Sequence, residues 1–289
     1  MRGLHYSTRR EAIAIPTAAA SPRAGTPPPT ARFDPSRTPE LAVPTPWLWT
    51  PAPAARPQYR LLAVPYAAGG PFSYLHWTRL LPDHVELQVV SAPGRDLRDD
   101  EPEESRLDAC LDAIAREVLD QPPLPLVLFG HSLGALVAYG LAARLEAIQR
   151  GARHLVVSGK APPGRGRDDL VWRDLDDLAL LGAMSARFGG VPDEVAEDEE
   201  LRAVVASRLR NDLALLESAN AQPTPALSTP VTVLAGVRDA SVTPSELGAW
   251  DSLAVTPPAY HSFDDGHFFI VHRAEAVLQR LGTLMPRRP

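Results

Sequence analysis

The sequence predicts an α/β fold in which a mostly parallel central sheet is flanked by helices. From residue 59 onwards, short apolar stretches with strand character alternate with segments of helical periodicity, a pattern that implies parallel strands joined by right-handed crossovers. The exception is a stretch of fifty residues, from Trp172 to about Ala221, that has a helical pattern and no strand. Because an insertion between late strands lies where such sheets bind ligands, we expect it to form a helical lid.

Composition restricts the class of protein before any motif is considered. The chain has 289 residues, of which 45% are hydrophobic, and a net charge of −6, so it can bury a large core and is not expected to bind nucleic acid. Cys110 is the single cysteine, which excludes an intramolecular disulfide, and we expect neither a metal nor a cofactor. No run of 18 apolar residues occurs, so we expect no membrane span and a cytoplasmic location.

The chain is predicted to contain one large α/β domain between two tails. Residues 1–44 are rich in Pro and Ala and show no helix or strand period, so we expect this segment to be disordered. Residues 45–284 form the predicted α/β domain, with the lid insertion at about 172–222, and residues 285–289 form a short tail.

The individual elements follow from apolar periodicity and from Gly and Pro punctuation. Strands are predicted at 59–65, 85–91, 124–129, 154–158, 229–235 and 260–263. Helices are predicted at 72–81, 105–119, from the residues after 132 to 150, at 244–253 and at 270–284, with 175–188 and 199–218 inside the insertion.

The third strand leads into a candidate nucleophile. The sequence from Pro125 to Leu141 reads PLVLFGHSLGALVAYGL, which is a strand, a Gly-His-Ser-Leu-Gly turn and a helix. This is the context that the G-x-S-x-G nucleophile elbow requires, with Ser132 at its apex. Gly130 and Gly134 lack side chains where strand and helix crowd together. The alternative is an ordinary strand–loop–helix connection.

A nucleophilic serine needs a base, and the base needs an acid that fixes its tautomer. His267 lies in a loop after a glycine turn, between the last strand and the last helix, and is the predicted base. Asp239 follows the strand before it and is the predicted acid, although loop aspartates are more often turn or cap residues. The order Ser, acid, His is that of the α/β-hydrolase fold. Asp264 and Asp265 are weaker candidates for the acid.

An oxyanion hole needs two N–H donors near the attacked carbonyl oxygen. The backbone amide of Leu133, directly after the nucleophile, is one predicted donor, and the amide of Ala67, in the loop after the first strand, is the other. The small residues at positions 67–70 would let a substrate approach the backbone. A phosphate-binding loop is the rival interpretation, but the G-K-[ST] ending is missing.

Taken together, these motifs resemble those of the type II thioesterases, the free-standing editing enzymes of polyketide synthases and nonribosomal peptide synthetases. The matching segments are 64–70 (VPYAAGG), 92–95 (APGR), 130–135 (GHSLGA), 157–159 (VSG), 209–212 (LRND), 236–239 (GVRD) and 266–269 (GHFF). They cover roughly residues 47–284 in the family order. Ala68 replaces a usual glycine, and Val237 replaces the first aspartate of the usual Gly-Asp-x-Asp, whereas the second is retained as Asp239.

The resemblance implies hydrolysis of acyl thioesters on the phosphopantetheine arm of acyl or peptidyl carrier proteins, through an acyl-serine intermediate. It implies a carrier protein as partner. We also expect the chain to be a monomer. Carrier domains of this kind are usually acidic, as this chain is, so docking would depend on local arginines or apolar contacts. The candidate arginines are Arg165, Arg167, Arg208 and Arg210.

Three alternatives remain open from the sequence. A carboxylesterase or lipase acting on small esters would use the same Ser, His and Asp, because the chemistry does not separate oxygen esters from thioesters. A scaffold of the same fold could bind a carrier protein without catalysis. Transfer of the acyl group to an acceptor other than water would also begin with an acyl-serine.

Overall fold

The computed structural model of the chain describes residues 46–166 and 172–288. The predicted N-terminal tail and Arg167 lie outside the described residues. A seven-stranded sheet in the order β1-β3-β2-β4-β5-β6-β7 organises the described part of the chain. Its strands are β1 (Leu48–Trp49), β2 (Tyr59–Val64), β3 (Val85–Val90), β4 (Leu126–His131), β5 (His154–Ser158), β6 (Val231–Gly236) and β7 (Ala259–Phe263).

All strand pairs are parallel except the pairing of β1 with β3. This confirms the predicted mostly parallel sheet. β1 has no counterpart among the predicted strands, since two residues are too short to show any periodicity.

Helices cover both faces of the sheet, which is why its central strands are apolar on both sides. Successive residues of β2 and β4 face opposite layers: Leu62 and Leu128 pack in one apolar cluster, and Leu61 and Val127 pack in another. The helices are α1 (Leu107–Asp120), α2 (Leu133–Ala147), α3 (Asp177–Phe188), α4 (Asp193–Glu197), α5 (Glu199–Asn220), α6 (Pro244–Gly248), α7 (Phe269–His272) and α8 (Ala274–Gly282).

The segment predicted as a helix at 72–81 is a 3-10 helix, Pro71–Arg79. Its buried residues are Pro71, Tyr74 and Trp77, which recur every third position, as the three residues per turn of a 3-10 helix require. Phe72 and Leu75, which belonged to the predicted apolar face, are each 48% exposed. The segment is therefore a 3-10 helix and not the predicted helix of 72–81 because a different set of apolar residues is buried.

Between β5 and β6 the chain forms α3, α4 and α5, and we call residues 172–222 the helical insertion. The insertion has an apolar cluster of its own, which includes Trp172, Leu181 and Leu213. Asp176 and Asp198 cap α3 and α5 by accepting hydrogen bonds from backbone N–H groups in the first turn. Residues of the loop after β2 pack against this cluster, so the insertion lies directly over the carboxyl edge of the sheet.

The segment predicted as a C-terminal tail begins with a buried residue. Met285, in the segment predicted as a tail, is 1% exposed and belongs to a core cluster. Its carbonyl oxygen lies 2.9 Å from Nε2 of His84. Across residues 46–166 and 172–288, the helices are too short or too polar to traverse a lipid bilayer.

Candidate active site

The turn between β4 and α2 holds Ser132 in a strained conformation. Ser132 has φ 54° and ψ −123°, which a residue with a side chain adopts only when its surroundings impose it. A Cβ atom at Gly130 would lie 2.6 Å from the backbone nitrogen of Ala135, and one at Gly134 would lie 2.6 Å from the carbonyl oxygen of Pro65. Glycine at both positions allows the close approach that leaves Ser132 at the apex.

We expect Gly134→Ala to lower the free energy of unfolding by at least about 2 kcal/mol, because its methyl group would overlap backbone atoms that cannot move aside. Gly182→Ala is the matched control: it lies in the interior of α3, and an added Cβ has no atom within 4 Å. That substitution should stabilise the protein by about 0.5–1 kcal/mol through helix propensity. Urea unfolding of both variants measures the difference, and equal effects would contradict the close packing at the elbow.

His267 and Asp239 form a buried pair at the carboxyl ends of β6 and β7. Nδ1 of His267 lies 2.7 Å from Oδ2 of Asp239, and the two side chains are 3% and 1% exposed. An ionised carboxylate at this distance requires the proton on Nδ1, which leaves Nε2 as an acceptor. Burial raises the pKa of Asp239, but the hydrogen bonds from His267 and Ser241 outweigh it, so the pKa is lowered overall.

The other acids and histidines near the site have different partners. Asp264 pairs with Arg238, and Asp265 contacts Arg273 and His272, so neither orients His267. His131, next to the serine, is fully buried with Nδ1 2.9 Å from Oγ of Ser158. Burial, together with the neighbouring His267, lowers the pKa of His131 well below its usual value, and its ring therefore stays neutral.

Ser241 is a site residue that the sequence reasoning missed. Both its backbone N–H and its hydroxyl donate to Oδ1 of Asp239, at 2.9 Å and 2.6 Å, which occupies the carboxylate oxygen that His267 does not use. The signal was present, because a serine two residues after a loop aspartate is typical of an Asx-turn. Ser241 thereby fixes the orientation of Asp239 toward His267.

The residues of the two predicted oxyanion donors, Leu133 and Ala67, line one cavity together with Ser132. Leu133 is the first residue of α2, so its N–H has no partner four residues earlier within that helix. In the loop after β2, the amide of Ala68 donates to Asp212 and that of Gly69 donates to the carbonyl oxygen of Tyr66. The amides of Ala68 and Gly69 are therefore engaged, and the amide of Ala67, a residue that lines the cavity with Ser132, stays a candidate donor.

Two cavities meet at Ser132 and Ala67. The larger, of about 310 Å³, is also lined by His267, Phe268 and residues 189–192 of the helical insertion. The smaller, of about 110 Å³, is lined by apolar side chains of the insertion, among them Trp172, Met184 and Leu213, and also by charged residues such as Arg187 and Glu217. Within the described ranges, no group of three His, Cys, Asp or Glu side chains is placed to hold a metal ion.

A parallel sheet with an elbow serine after β4, an aspartate after β6 and a histidine after β7 is the architecture of the α/β-hydrolases. The profile of the thioesterase domain family matches residues 59–285. The chain therefore belongs to the thioesterase domain family.

Individual relatives agree with this assignment. The chain is 33% identical over 238 residues to the AMB antimetabolite synthetase AmbE of Pseudomonas aeruginosa, covering 81% of this chain and 11% of AmbE. It is 31% identical over 231 residues to a probable cadicidin biosynthesis thioesterase of Streptomyces griseus, covering 80% of this chain and 63% of that protein. The chain thus spans less than two thirds of the length of either relative.

Among solved structures, the type II thioesterase BorB from the borrelidin biosynthetic cluster superimposes with a TM-score of 0.74 and 28% identity. The match covers 83% of this chain and 98% of BorB. The described fold is therefore similar to that of BorB over almost the whole of BorB.

Proposed function

We propose that this chain hydrolyses acyl thioesters carried on the phosphopantetheine arm of acyl or peptidyl carrier proteins, as an editing enzyme of polyketide or nonribosomal peptide biosynthesis. The observation that carries the proposal is the buried Asp239–His267 pair, whose histidine lines one cavity together with the strained elbow serine Ser132. The similarity to BorB and to the cadicidin thioesterase supports the thioester substrate.

The proposed reaction has two steps that use the same residues. Oγ of Ser132 attacks the thioester carbonyl while Nε2 of His267 takes its proton, and the tetrahedral oxyanion is held by the amides of Leu133 and Ala67. The C–S bond breaks, and His267 gives its proton to the leaving thiol. Water then attacks the acyl-serine with His267 as base, which releases the acid and restores the serine hydroxyl.

The arrangement of the cavities fits a substrate delivered on a flexible arm. We assign the larger cavity to the pantetheine arm and the smaller one, where Trp172, Met184 and Leu213 provide apolar surface, to the acyl group. The helical insertion would act as the lid over both. Of the candidate docking arginines, Arg210 is already engaged with Asp177 and with the carbonyl oxygen of Leu175. Arg165 and Arg208 remain the candidates for contact with an acidic carrier protein.

We further propose a monomer in the cytoplasm. All the residues assigned to the chemistry come from one chain, so no second copy is needed to complete the site. Cys110 is a free, buried thiol, which is compatible with a reducing compartment. Light scattering of the purified protein tests the monomer, and a dimer mass at assay concentration would contradict it.

The deciding experiment compares carrier-bound thioesters with simple esters. Acyl carrier proteins loaded with acyl groups from acetyl to octanoyl are incubated with the wild type and with Ser132→Ala, and mass spectrometry follows the loss of the acyl mass. Nitrophenyl esters of the same acids serve as the matched substrates. We expect a higher kcat/KM for the carrier thioesters and no turnover above background with Ser132→Ala.

The alternatives give different outcomes in the same experiment. Much faster turnover of the nitrophenyl esters would identify a carboxylesterase and exclude the editing function. Recovery of the acyl group on an added alcohol or amine, rather than as free acid, would identify a transferase. Carrier binding with no turnover of either substrate class would identify a non-catalytic scaffold.

A further inference from the structure

A buried ion pair connects the helical insertion to the loop that carries the proposed oxyanion donor. Arg95 lies after β3, and Asp212 lies in α5 of the insertion; the two residues form a salt bridge with side chains that are 7% and 3% exposed. Neither residue belongs to the proposed Ser132, His267 and Asp239 set. The pair nevertheless links the helical insertion to the loop that carries Ala67, which suggests a role in positioning that loop.

Both members of the pair hold the backbone of the loop after β2. Oδ2 of Asp212 accepts a hydrogen bond of 2.6 Å from the amide of Ala68, and Nη1 of Arg95 donates one of 3.0 Å to the carbonyl oxygen of Gly69. Oδ1 of Asp212 accepts from Nη2 of Arg95. One carboxylate oxygen of Asp212 thereby contacts the loop, and the other contacts Arg95. Together these contacts fix the peptide groups on the carboxyl side of Ala67.

The loop needs such support because its conformation is strained. Ala68 has φ 59°, a left-handed conformation that is unfavourable for a residue with a Cβ atom. The same position is a glycine in the family pattern that the motifs resemble. In this chain, the hydrogen bond that the amide of Ala68 donates to Asp212 opposes the tendency of the alanine to leave that conformation.

Stability alone is a poor explanation for the pair. Two buried charges lose their hydration, and such pairs are often no more stabilising than apolar residues of similar volume. Within the described part of the chain, Nε of Arg95 is buried with no hydrogen-bond partner, so the desolvation of this guanidinium is incompletely compensated. The pair instead provides directed contacts to the loop, which an apolar pair would not make.

We propose that Arg95 and Asp212 are positioning residues that hold the Ala67 amide in place for the oxyanion, and that they couple the seating of the helical insertion to assembly of the oxyanion hole. This proposal rests on the proposed function, because it assigns Ala67 the role of donor. Displacement of α5 withdraws Asp212 from Ala68, and the loop then relaxes away from the geometry that stabilises the tetrahedral intermediate.

Asp212→Asn tests the coupling with little change in shape. The amide removes the negative charge beside Arg95 and leaves one oxygen to serve both Arg95 and Ala68. We expect kcat to fall about 10- to 100-fold, less than or equal to the effect of losing one oxyanion donor, with little change in KM. Asp177→Asn is the matched control, because it breaks the ion pair with Arg210 within the same insertion and does not touch the loop.

Two inhibitors separate positioning from a general structural role. A trifluoromethyl ketone analogue of the acyl pantetheine adds the Ser132 hydroxyl and forms a tetrahedral oxyanion, whereas the corresponding thioether lacks the carbonyl. In Asp212→Asn, the inhibition constant of the ketone should rise about 10- to 100-fold and that of the thioether should stay unchanged. Equal weakening of both inhibitors, or of neither, would overturn the proposal.

A second variant and a second substrate keep the test decisive. If Asp212→Asn does not fold, the same measurements are made on Arg95→Lys, which keeps the charge but loses the fork that reaches both Asp212 and Gly69. A selective loss of ketone affinity in Arg95→Lys supports the proposal, and an unchanged ketone affinity overturns it. Kinetics of the wild type and the variants are also measured with a nitrophenyl ester. If the wild type does not hydrolyse carrier thioesters, the proposed substrate is contradicted, but the effect of the variants on the oxyanion hole can still be measured with the ester.

Discussion

Ser132→Ala is expected to lower kcat for thioester and ester hydrolysis by about 10⁴-fold or more, because no acyl-enzyme can form without the hydroxyl. The backbone of the elbow does not depend on that hydroxyl. Its sharp turn is made possible by Gly130 and Gly134, and the amide of Ser132 donates to the carbonyl oxygen of Ser158 at 2.8 Å. The free energy of unfolding should therefore change by less than about 1 kcal/mol.

Ser73→Ala is the matched control for this substitution, since Ser73 lines the same cavity as Ser132 and has no assigned role in the reaction. Steady-state kinetics and labelling by a fluorophosphonate probe, with the modified peptide identified by mass spectrometry, provide two independent measurements. Labelling should occur at Ser132 in the wild type and in Ser73→Ala, and should be absent in Ser132→Ala. Comparable kcat values for the two variants would exclude Ser132 as the nucleophile.

The parts of the fold that the sequence predicted best are those with dense apolar patterns. The strands at 59–64 and 154–158 could be recognised because buried parallel strands read as largely apolar runs. The elbow could be recognised because its glycines are needed for local steric reasons. In both cases the information lies within a few consecutive residues.

Features that depend on distant contacts could not be predicted in the same way. The 3-10 helix at 71–79 is selected by which aromatic rings reach the core, and the two-residue pairing of β1 with β3 depends on the edge of a sheet formed elsewhere. Arg95 and Asp212 are 117 positions apart, and no local period brings them together. Their motifs were noticed in the sequence, but their joint contact with Ala68 and Gly69 was visible only in three dimensions.

The two histidines near Ser132 show the same difference between what the sequence predicts and what the contacts reveal. His131 and His267 lie with ring centroids 4.7 Å apart, so proximity to Ser132 alone does not assign the base. His267 has a carboxylate at Nδ1, whereas His131 has the hydroxyl of Ser158. Chain order predicted His267 as the base, and the carboxylate at its Nδ1 is the feature that supports this proposal.

Asp239→Asn is expected to lower kcat by about 10³- to 10⁴-fold while leaving the fold in place. The NH2 group of asparagine can donate a hydrogen bond to Nδ1 of His267, which favours the tautomer that has its hydrogen on Nε2. Nε2 then no longer accepts the proton of Ser132, and the base is lost although every residue remains close to its position. Steady-state kinetics on the thioester and on the nitrophenyl ester should show the same loss of kcat. The impaired step is the removal of the proton from Ser132, which both substrates require before their leaving groups depart.

The stability of Asp239→Asn against pH provides an independent check on the charge of the carboxylate. The pKa of Asp239 is lowered in the folded protein by His267 and Ser241, whose hydrogen bonds outweigh the effect of burial. A depressed carboxyl pKa contributes stability above the unfolded pKa of about 3.9, and this contribution disappears as the pH falls through the folded value. Any advantage of the wild type over Asp239→Asn in urea unfolding at pH 7 should therefore shrink below about pH 4.

Asp264→Asn is the matched control for the loss of activity in Asp239→Asn. It removes a carboxylate paired with Arg238 at the surface and should keep full kcat. A full loss of activity in Asp264→Asn combined with an active Asp239→Asn would transfer the orienting role to the acid adjacent to the histidine in sequence.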